Sequence, residues 1–313
     1  MSDHFLAAID GGGTKTEFVL LKSDGFVCKR LLLGASNPFD IGYDACAAIL
    51  RQGLDSLLDG VRSDTVGIFA GLSGGASGDS GVRLSKMLND LLPDSNCAAD
   101  SDMVNAIASG SLTGEGCAVI AGTGSSCFAR GSGKMVRCGG WGYLFDGAGS
   151  GYDLGAGAIS YTLSVADGRA EASPLSELTE KALGGSPTVL LTDIYAKGKR
   201  YIASLAPVVF EACDAGDPEA IRLIDKTATY LAEIIRTACS RAGLSETAVV
   251  CVGGLWHRRD LLEPRILPRL PKGITLQYPD LPPIFGAATE AARLAGVPVT
   301  EDFRRGFAES YKF

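Results

Sequence analysis

Histidine is almost missing from this chain: His4 and His257 are the only two in 313 residues. That scarcity argues against a histidine-centred catalytic machine and leaves proton transfer to carboxylates. Cysteine is present but unpatterned. The nine residues at 28, 46, 97, 117, 127, 138, 213, 239 and 251 contain no CxxC pair, so they read as reduced, buried thiols rather than a disulfide framework or a zinc site. Positive charge is in deficit, with a formal net charge of -7 and no basic stripe, which speaks against a nucleic-acid surface. No apolar run approaches the roughly 20 residues of a membrane span. The N-terminal Met1-Ser2-Asp3-His4 lacks the basic and apolar pattern of a signal peptide. These absences together predict a cytoplasmic enzyme acting on small molecules, with neither nucleic acid nor membrane as partner.

What the chain does have is glycine. Forty-one glycines against 7% aromatic residues suggest many tight turns and close helix–strand contacts, and 46% hydrophobic with 21% charged residues describes an ordinary globule. Its length exceeds that at which a single core stops growing, so two domains are expected. The first glycine cluster lies at 10–17, Asp10-Gly11-Gly12-Gly13-Thr14-Lys15-Thr16-Glu17, between the apolar runs Phe5-Leu6-Ala7-Ala8-Ile9 and Phe18-Val19-Leu20-Leu21. It predicts a hairpin tip whose backbone N–H groups can converge on an anion. Thr14 and Thr16 add hydroxyl donors, Lys15 a charge, and Asp10 a carboxylate suited to hold Mg²⁺ through water beside substrate phosphates. The spacing is neither a Walker nor a dinucleotide motif, and it leads into a strand rather than a helix. A plain hairpin with a glycine-rich loop explains the cluster as well.

Further along, a third strand is predicted at 26–33, a helix at 41–58 with a stop near Gly60, a buried strand at 66–70 and a helix at 81–92. Such mixed strands and crossover helices indicate an α/β fold. A short strand Cys97-Ala98-Ala99, a turn Asp100-Ser101-Asp102 and a helix at 103–109 come next. The segment 117–128 then repeats the opening plan of apolar strand, glycine–threonine turn and strand, with Ile120, Gly122 and Gly124 standing 111 residues after Ile9, Gly11 and Gly13. This implies a duplicated domain plan. A second glycine cluster, 139–151, is too glycine-rich for packed structure and predicts a functional loop. The stretch 152–243 is helical by periodicity, with breaks near Gly168, Gly184, Gly198 and Gly216. A buried strand at 249–252 ends in Gly253-Gly254, a short strand occupies 274–276, and helices follow Pro282-Pro283 and run over 301–311.

Four motifs now stand in order: DGGGTKTE at 10–17, GTGS at 122–125, GGWG at 139–142 and VGG at 252–254. Together they resemble the BadF/BadG/BcrA/BcrD ATPase family, most closely its N-acetylglucosamine kinase branch, over nearly the whole chain. The resemblance implies two ribonuclease-H-like domains of the actin/sugar kinase/Hsp70 type hinged around an ATP cleft, at 1–115 and 116–297, with a C-terminal helix at 298–313 that packs back on the first. It implies ATP and Mg²⁺ as cofactors, an amino sugar as substrate and a homodimer. By the same resemblance, Asp10 is the metal-side carboxylate, and Gly12, Gly13, Thr14 and Lys15 form the first phosphate loop. Gly122, Thr123 and Gly124 form the second, and Gly253, Gly254, Gly286 and Ala287 hold the adenosine. Asn37 contacts the sugar, Ser73, Gly74 and Gly75 line it from one loop, and Gly140, Trp141 and Gly142 from another. Asp102 fits the catalytic aspartate, with Asp100 as near competitor.

Several of these residues also have ordinary explanations. Asp102 or, better, Asp100 could cap the following helix, Trp141 could be a packing anchor, and Asp146 could close a turn. Trp256-His257 suggests surface or core packing. The family's kinases follow GGWG with a Gly-Asp-Glu-Gly-Ser run, whereas this chain has Asp146-Gly147-Ala148-Gly149-Ser150, so a single shifted aspartate stands where an acidic pair is expected near the sugar. The cysteine-rich zinc motif of ROK sugar kinases is absent. Three activities remain in view: phosphorylation of N-acetylglucosamine, glucosamine or N-acetylmuramic acid, ATP-driven activation of a dehydratase or reductase partner, and non-catalytic sugar binding.

Overall fold

Two five-stranded sheets with the same internal order account for the duplicated pattern. The computed structural model describes residues 4–75, 79–93, 95–111 and 114–311, so residues 1–3 of the N-terminal reading lie outside it. The strands are β1 (Phe5–Gly11), β2 (Lys15–Lys22), β3 (Val27–Gly34), β4 (Thr65–Leu72), β5 (Cys97–Ser101), β6 (Gly116–Ala121), β7 (Ser125–Gly131), β8 (Lys134–Cys138), β9 (Thr247–Val252) and β10 (Ile274–Gln277). The first sheet runs β3-β2-β1-β4-β5 and the second β8-β7-β6-β9-β10. In the first, β2 lies antiparallel to β1 and β3, while β4 is parallel to β1 and β5. In the second, β7 and β8 are antiparallel, and β9 is parallel to β6 and β10. Parallel pairs need crossover connections, which is why helices alternate with the later strands of each sheet.

The helices are α1 (Pro38–Ile41), α2 (Tyr43–Leu57), α3 (Ser80–Leu91), α4 (Asp102–Gly110), α5 (Gly151–Ala166), α6 (Pro174–Leu183), α7 (Pro187–Ala203), α8 (Ala206–Asp214), α9 (Pro218–Ala242), α10 (Arg259–Ile266), α11 (Pro283–Leu294) and α12 (Glu301–Ser310). The helix predicted at 41–58 is broken, because Gly42 at φ 84° separates α1 from α2. The turn predicted at 100–102 is instead the end of β5 and the first residue of α4.

The chain divides into two compact units, Met1–Gly116 with Pro279–Phe313, and Cys117–Tyr278. The return to the first unit thus begins at 279, where the sequence places it at 298. The cause is packing: Ile284, Phe285, Ala287, Ala288 and Ala291 of α11 are buried with Leu6, Ala8, Val19 and Val104, and Phe303 and Phe307 of α12 join the same core. The other face of the first sheet is covered by α2 and α3 through Leu50, Leu54, Leu57, Leu84 and Leu88. With both faces covered, β1 reads as a continuous apolar run rather than an alternating one. In the second unit the largest core joins the sheet to α5, α6, α8 and α9, with α9 contributing from Ala220 to Ala242.

Candidate active site

Register brings the chemistry to one edge of the first sheet. Asp10 of β1 stands beside Gly71 of β4, which stands beside Asp100 of β5, and Gly11, Leu72 and Ser101 form the next row. The loops that leave these strand ends carry residues 12–14, residues 73–75 and the start of α4. Ligands of open α/β sheets bind beyond the carboxyl ends of the strands. The loops are tied together by the Ser73 N–H donating to the Gly11 carbonyl at 2.7 Å, and the Ser36 N–H to the Gly12 carbonyl at 3.1 Å.

Asp102 opens α4 but does not cap it. The cap is Ser101, whose hydroxyl accepts from the Met103 N–H at 3.2 Å and donates to Asp102 Oδ1 at 3.1 Å. Asp100, the competitor, is exposed, accepts the Ser101 N–H and lines a shallow depression along α3 with Ser85, Lys86 and Asn89. Burial raises the Asp102 carboxyl above its ordinary range, against hydrogen bonds from Ser101 and Ser73. One turn on, Asn105 is fully buried and donates from Nδ2 to Asp10 Oδ1 at 2.7 Å. Asp10 is pushed up to about 6, first by burial and then by the charges of Asp102 and Glu17, with the Asn105 hydrogen bond and Lys15 opposing. Two coupled carboxylates and an amide therefore share one corner of the first unit. The sequence reading missed Asn105, although a polar residue among Met103, Val104, Ala106, Ile107 and Ala108 is a visible irregularity.

Of the residues expected near the sugar, Asn37 and the 73–75 loop gather at the same edge, while Gly140, Trp141, Gly142 and Asp146 belong to the second unit. Asn37 Oδ1 caps α1 by accepting from the Phe39 N–H at 3.1 Å, while its Nδ2 donates to Asp40 Oδ2 at 2.8 Å. A Cβ on Gly74 would stand 3.0 Å from Asn37 Oδ1, one on Gly75 2.7 Å from the Ser101 nitrogen, and one on Gly13 3.3 Å from Asp40 Oδ2. Gly13, Thr14 and Lys15 are exposed at the hairpin tip, with the Gly12 N–H turned back to the Lys15 carbonyl at 2.9 Å.

In the second unit, Gly122, Thr123 and Gly254 lie on the wall of a cavity of about 550 Å³ with Ala203, Pro207, Phe210, Glu211, His257 and Arg258. That volume is within the range of small-molecule sites. A Cβ of Gly122 would be 3.8 Å from the Gly254 nitrogen and 3.9 Å from Gly253 Cα, so the GTGS and VGG loops adjoin. Arg258 is held rigidly, bidentate to Asp214 at 2.7 and 2.9 Å and also bonded to Asp260. Trp256 is buried, whereas His257 lies on the cavity wall. A second cavity, of about 230 Å³, is lined by Thr123, Gly124, Ser125, Gly140, Gly142, Asp146 and Lys199. Asp146 is occupied by its own loop and by helix α9: it accepts from the Trp141 N–H and from the Tyr230 hydroxyl of α9, and its N–H donates to the Gly142 carbonyl at 2.7 Å. Trp141 is 67% exposed under the Arg137 guanidinium, 4.4 Å from the ring centroid, and is no packing anchor.

Gly286 and Ala287 depart from their expected place. Both are buried in the first unit, on the face of α11 that meets α4; Ala287 has no exposed surface, and a Cβ on Gly286 would stand 1.8 Å from the Asn105 carbonyl oxygen. Small residues there serve helix approach, and neither lines the cavity at Gly254.

The sequence profile of the BadF/BadG/BcrA/BcrD ATPase family matches residues 8–291. The N-acetyl-D-glucosamine kinase of Dictyostelium discoideum is 28% identical, over 92% of this chain and 98% of its own length. The N-acetylmuramic acid/N-acetylglucosamine kinase of Clostridium acetobutylicum is 31% identical, over 72% of this chain and 76% of its own. A solved structure from Chromobacterium violaceum, with a provisional N-acetylglucosamine kinase assignment, superposes with a TM-score of 0.67 at 26% identity, covering 94% of this chain and all of that one. The paired sheets are those of the actin/sugar kinase/Hsp70 fold, and the chain belongs to the BadF/BadG/BcrA/BcrD ATPase family.

Proposed function

We propose that this protein is an ATP-dependent kinase that transfers the γ-phosphate to the 6-hydroxyl of N-acetylglucosamine or a close relative, N-acetylmuramic acid or glucosamine. The observation that carries the reading is the half-buried Asp102, fixed by Ser101 and Ser73 beside Asp10. Its role is to accept the proton of the attacking sugar hydroxyl, a contribution of about 10²- to 10⁴-fold in rate. A carboxyl raised by burial is a stronger base than an ordinary aspartate. Asn37 and the 73–75 loop contribute the sugar side of the first unit. In the second unit Thr123, Gly124, Gly253 and Gly254 contribute backbone donors for the nucleotide, as a loose, anionic transition state requires, while the Gly122 N–H closes the turn onto the Gly124 carbonyl at 2.9 Å.

Mg²⁺ fits the first unit. Asp10 is a carboxylate whose charge lacks full compensation, and Asn105 Oδ1 is buried without a hydrogen-bond partner among the described residues. Mg²⁺ commonly uses one or two carboxylates with water and substrate phosphates. Asp10 would hold it, and when bound it supplies neutralisation of phosphate charge.

Relatives that act on amino sugars favour this reading over an activator of a redox partner. The test is coupled ADP release with N-acetylglucosamine, N-acetylmuramic acid, glucosamine, N-acetylmannosamine and glucose against a sugar-free blank. An amino-sugar-dependent rate, lost in Asp102→Asn while ATP still binds, is expected. Sugar-independent ADP release, or undiminished turnover in the variant, would sink the assignment.

A further inference from the structure

The helix α7 is interrupted once, at Gly198, whose φ of 69° and ψ of -163° belong to a region open essentially to glycine alone. Immediately after the break comes Lys199. Its Nζ lies 3.6 Å from where a Cβ of Gly124 would stand, and 5.4 Å from the Tyr143 ring centroid. The side chain is half-buried on the wall of the 230 Å³ cavity, and no carboxylate of the described residues comes within 4 Å of its ammonium. Asp146 shares that cavity, but its oxygens accept from Tyr230 and Trp141. A partly desolvated ammonium beside a glycine loop, without an anion of its own, is a built anion site.

The location indicates which anion. Thr123 lies on the walls of both cavities of the second unit. Lys199 and Ala203 are an i,i+4 pair on one helix face, with Lys199 at the smaller cavity and Ala203 at the larger. A nucleoside in the larger cavity would therefore send its phosphates over Thr123 towards Lys199. We propose that Lys199 binds the terminal phosphates of the nucleoside triphosphate. The inference rests on the kinase reading above and adds a side-chain cation to a loop that otherwise offers only backbone and hydroxyl donors.

The test is calorimetric titration of the full chain, in Mg²⁺, with adenosine, ADP and ATP. Lys199→Ala should weaken ATP and ADP by about 10- to 100-fold, the scale of a lost charge-assisted contact, and leave adenosine affinity, thermal midpoint and KM for the sugar unchanged. Lys199→Arg should recover most of the loss. Wild-type ATP affinity in Lys199→Ala, or equal weakening of all three ligands, would overturn the proposal while leaving the kinase reading intact. So would a loss confined to KM for the carboxylate-bearing N-acetylmuramic acid, which would assign the ammonium to the sugar. A wild-type protein that binds neither ADP nor ATP would overturn both.

Discussion

At the scale of single residues the decisive group is an amide. Asn105 joins helix α4 to strand β1 by donating to Asp10, and in doing so it opposes the burial and the charges that push that carboxyl up. Asn105→Ala would leave Asp10 with one acceptor atom unsatisfied and free to rotate. Outer partners of a metal-side carboxylate typically govern affinity or rate by 10- to 100-fold. The expected outcome is a kcat lower by about 10-fold and a higher Mg²⁺ concentration for half-maximal rate, with KM for the sugar little moved; steady-state kinetics over a Mg²⁺ series would detect it, and an unaltered Mg²⁺ requirement would refute it. The acidic positions Asp10 and Asp102 were legible as candidates from their motifs and spacing. The motif offset favoured Asp102 over Asp100; the different settings of the two were not legible, because they depend on where the strand stops: Asp100 is still in β5 and exposed, whereas Asp102 is the first residue of α4 and half-buried. The small residues misled for a related reason: Gly286 and Ala287 suit a ligand site and a helix crossing equally well, and sequence does not distinguish them.

At the scale of elements, helices α6 and α9 of the second unit meet at one buried carboxylate. Asp217 is 1% exposed and caps α9, accepting at Oδ1 from the N–H groups of Glu219 and Ala220 at 2.9 Å and at Oδ2 from that of Leu175 in α6 at 3.0 Å. Burial alone would raise its carboxyl, but the hydrogen bonds it accepts outweigh burial and hold it below the ordinary aspartate range. Asp217→Ala removes the cap and strands the Leu175 amide, a loss of about 2 to 3 kcal/mol and a thermal midpoint lower by roughly 5 to 10 °C. Because the folded-state value is depressed, the stabilisation is fully present above the unfolded value near 4 and disappears as pH falls through the lower folded one. The wild-type advantage measured by thermal denaturation should therefore be constant above about pH 5 and shrink below pH 4; an advantage that grows towards acid would contradict the assignment. Sequence located most of these helices by periodicity and glycine breaks. The break expected near Gly198 is present as an interruption of α7, at a φ of 69° and ψ of -163° that no helix contains.

For the whole molecule, the C-terminal segment is an organising part of the first unit. Chain beyond residue 279 returns to that unit, and α11 meets α4 at Gly286 so closely that any side chain would strike the Asn105 carbonyl. On an exposed helix Gly→Ala stabilises by about 1 kcal/mol. Gly286→Ala is expected to do the opposite, lowering the thermal midpoint and, by displacing the helix that carries Asp102 and Asn105, lowering kcat as well; a midpoint equal to or above the wild type would show that the contact is not limiting. The sequence by itself determined the α/β class, the duplicated strand–glycine–strand plan and the order of the loops, because apolar periodicity and glycine turns are local properties of the chain. Tertiary structure alone decided that both sheets share one strand order, that β1, β4 and β5 align Asp10 beside Gly71 and Asp100, and that Asn105 and Lys199 face the candidate loops. Those outcomes depend on which segments pair across long sequence separations and on which side chains burial leaves without partners, and neither is encoded in any local window.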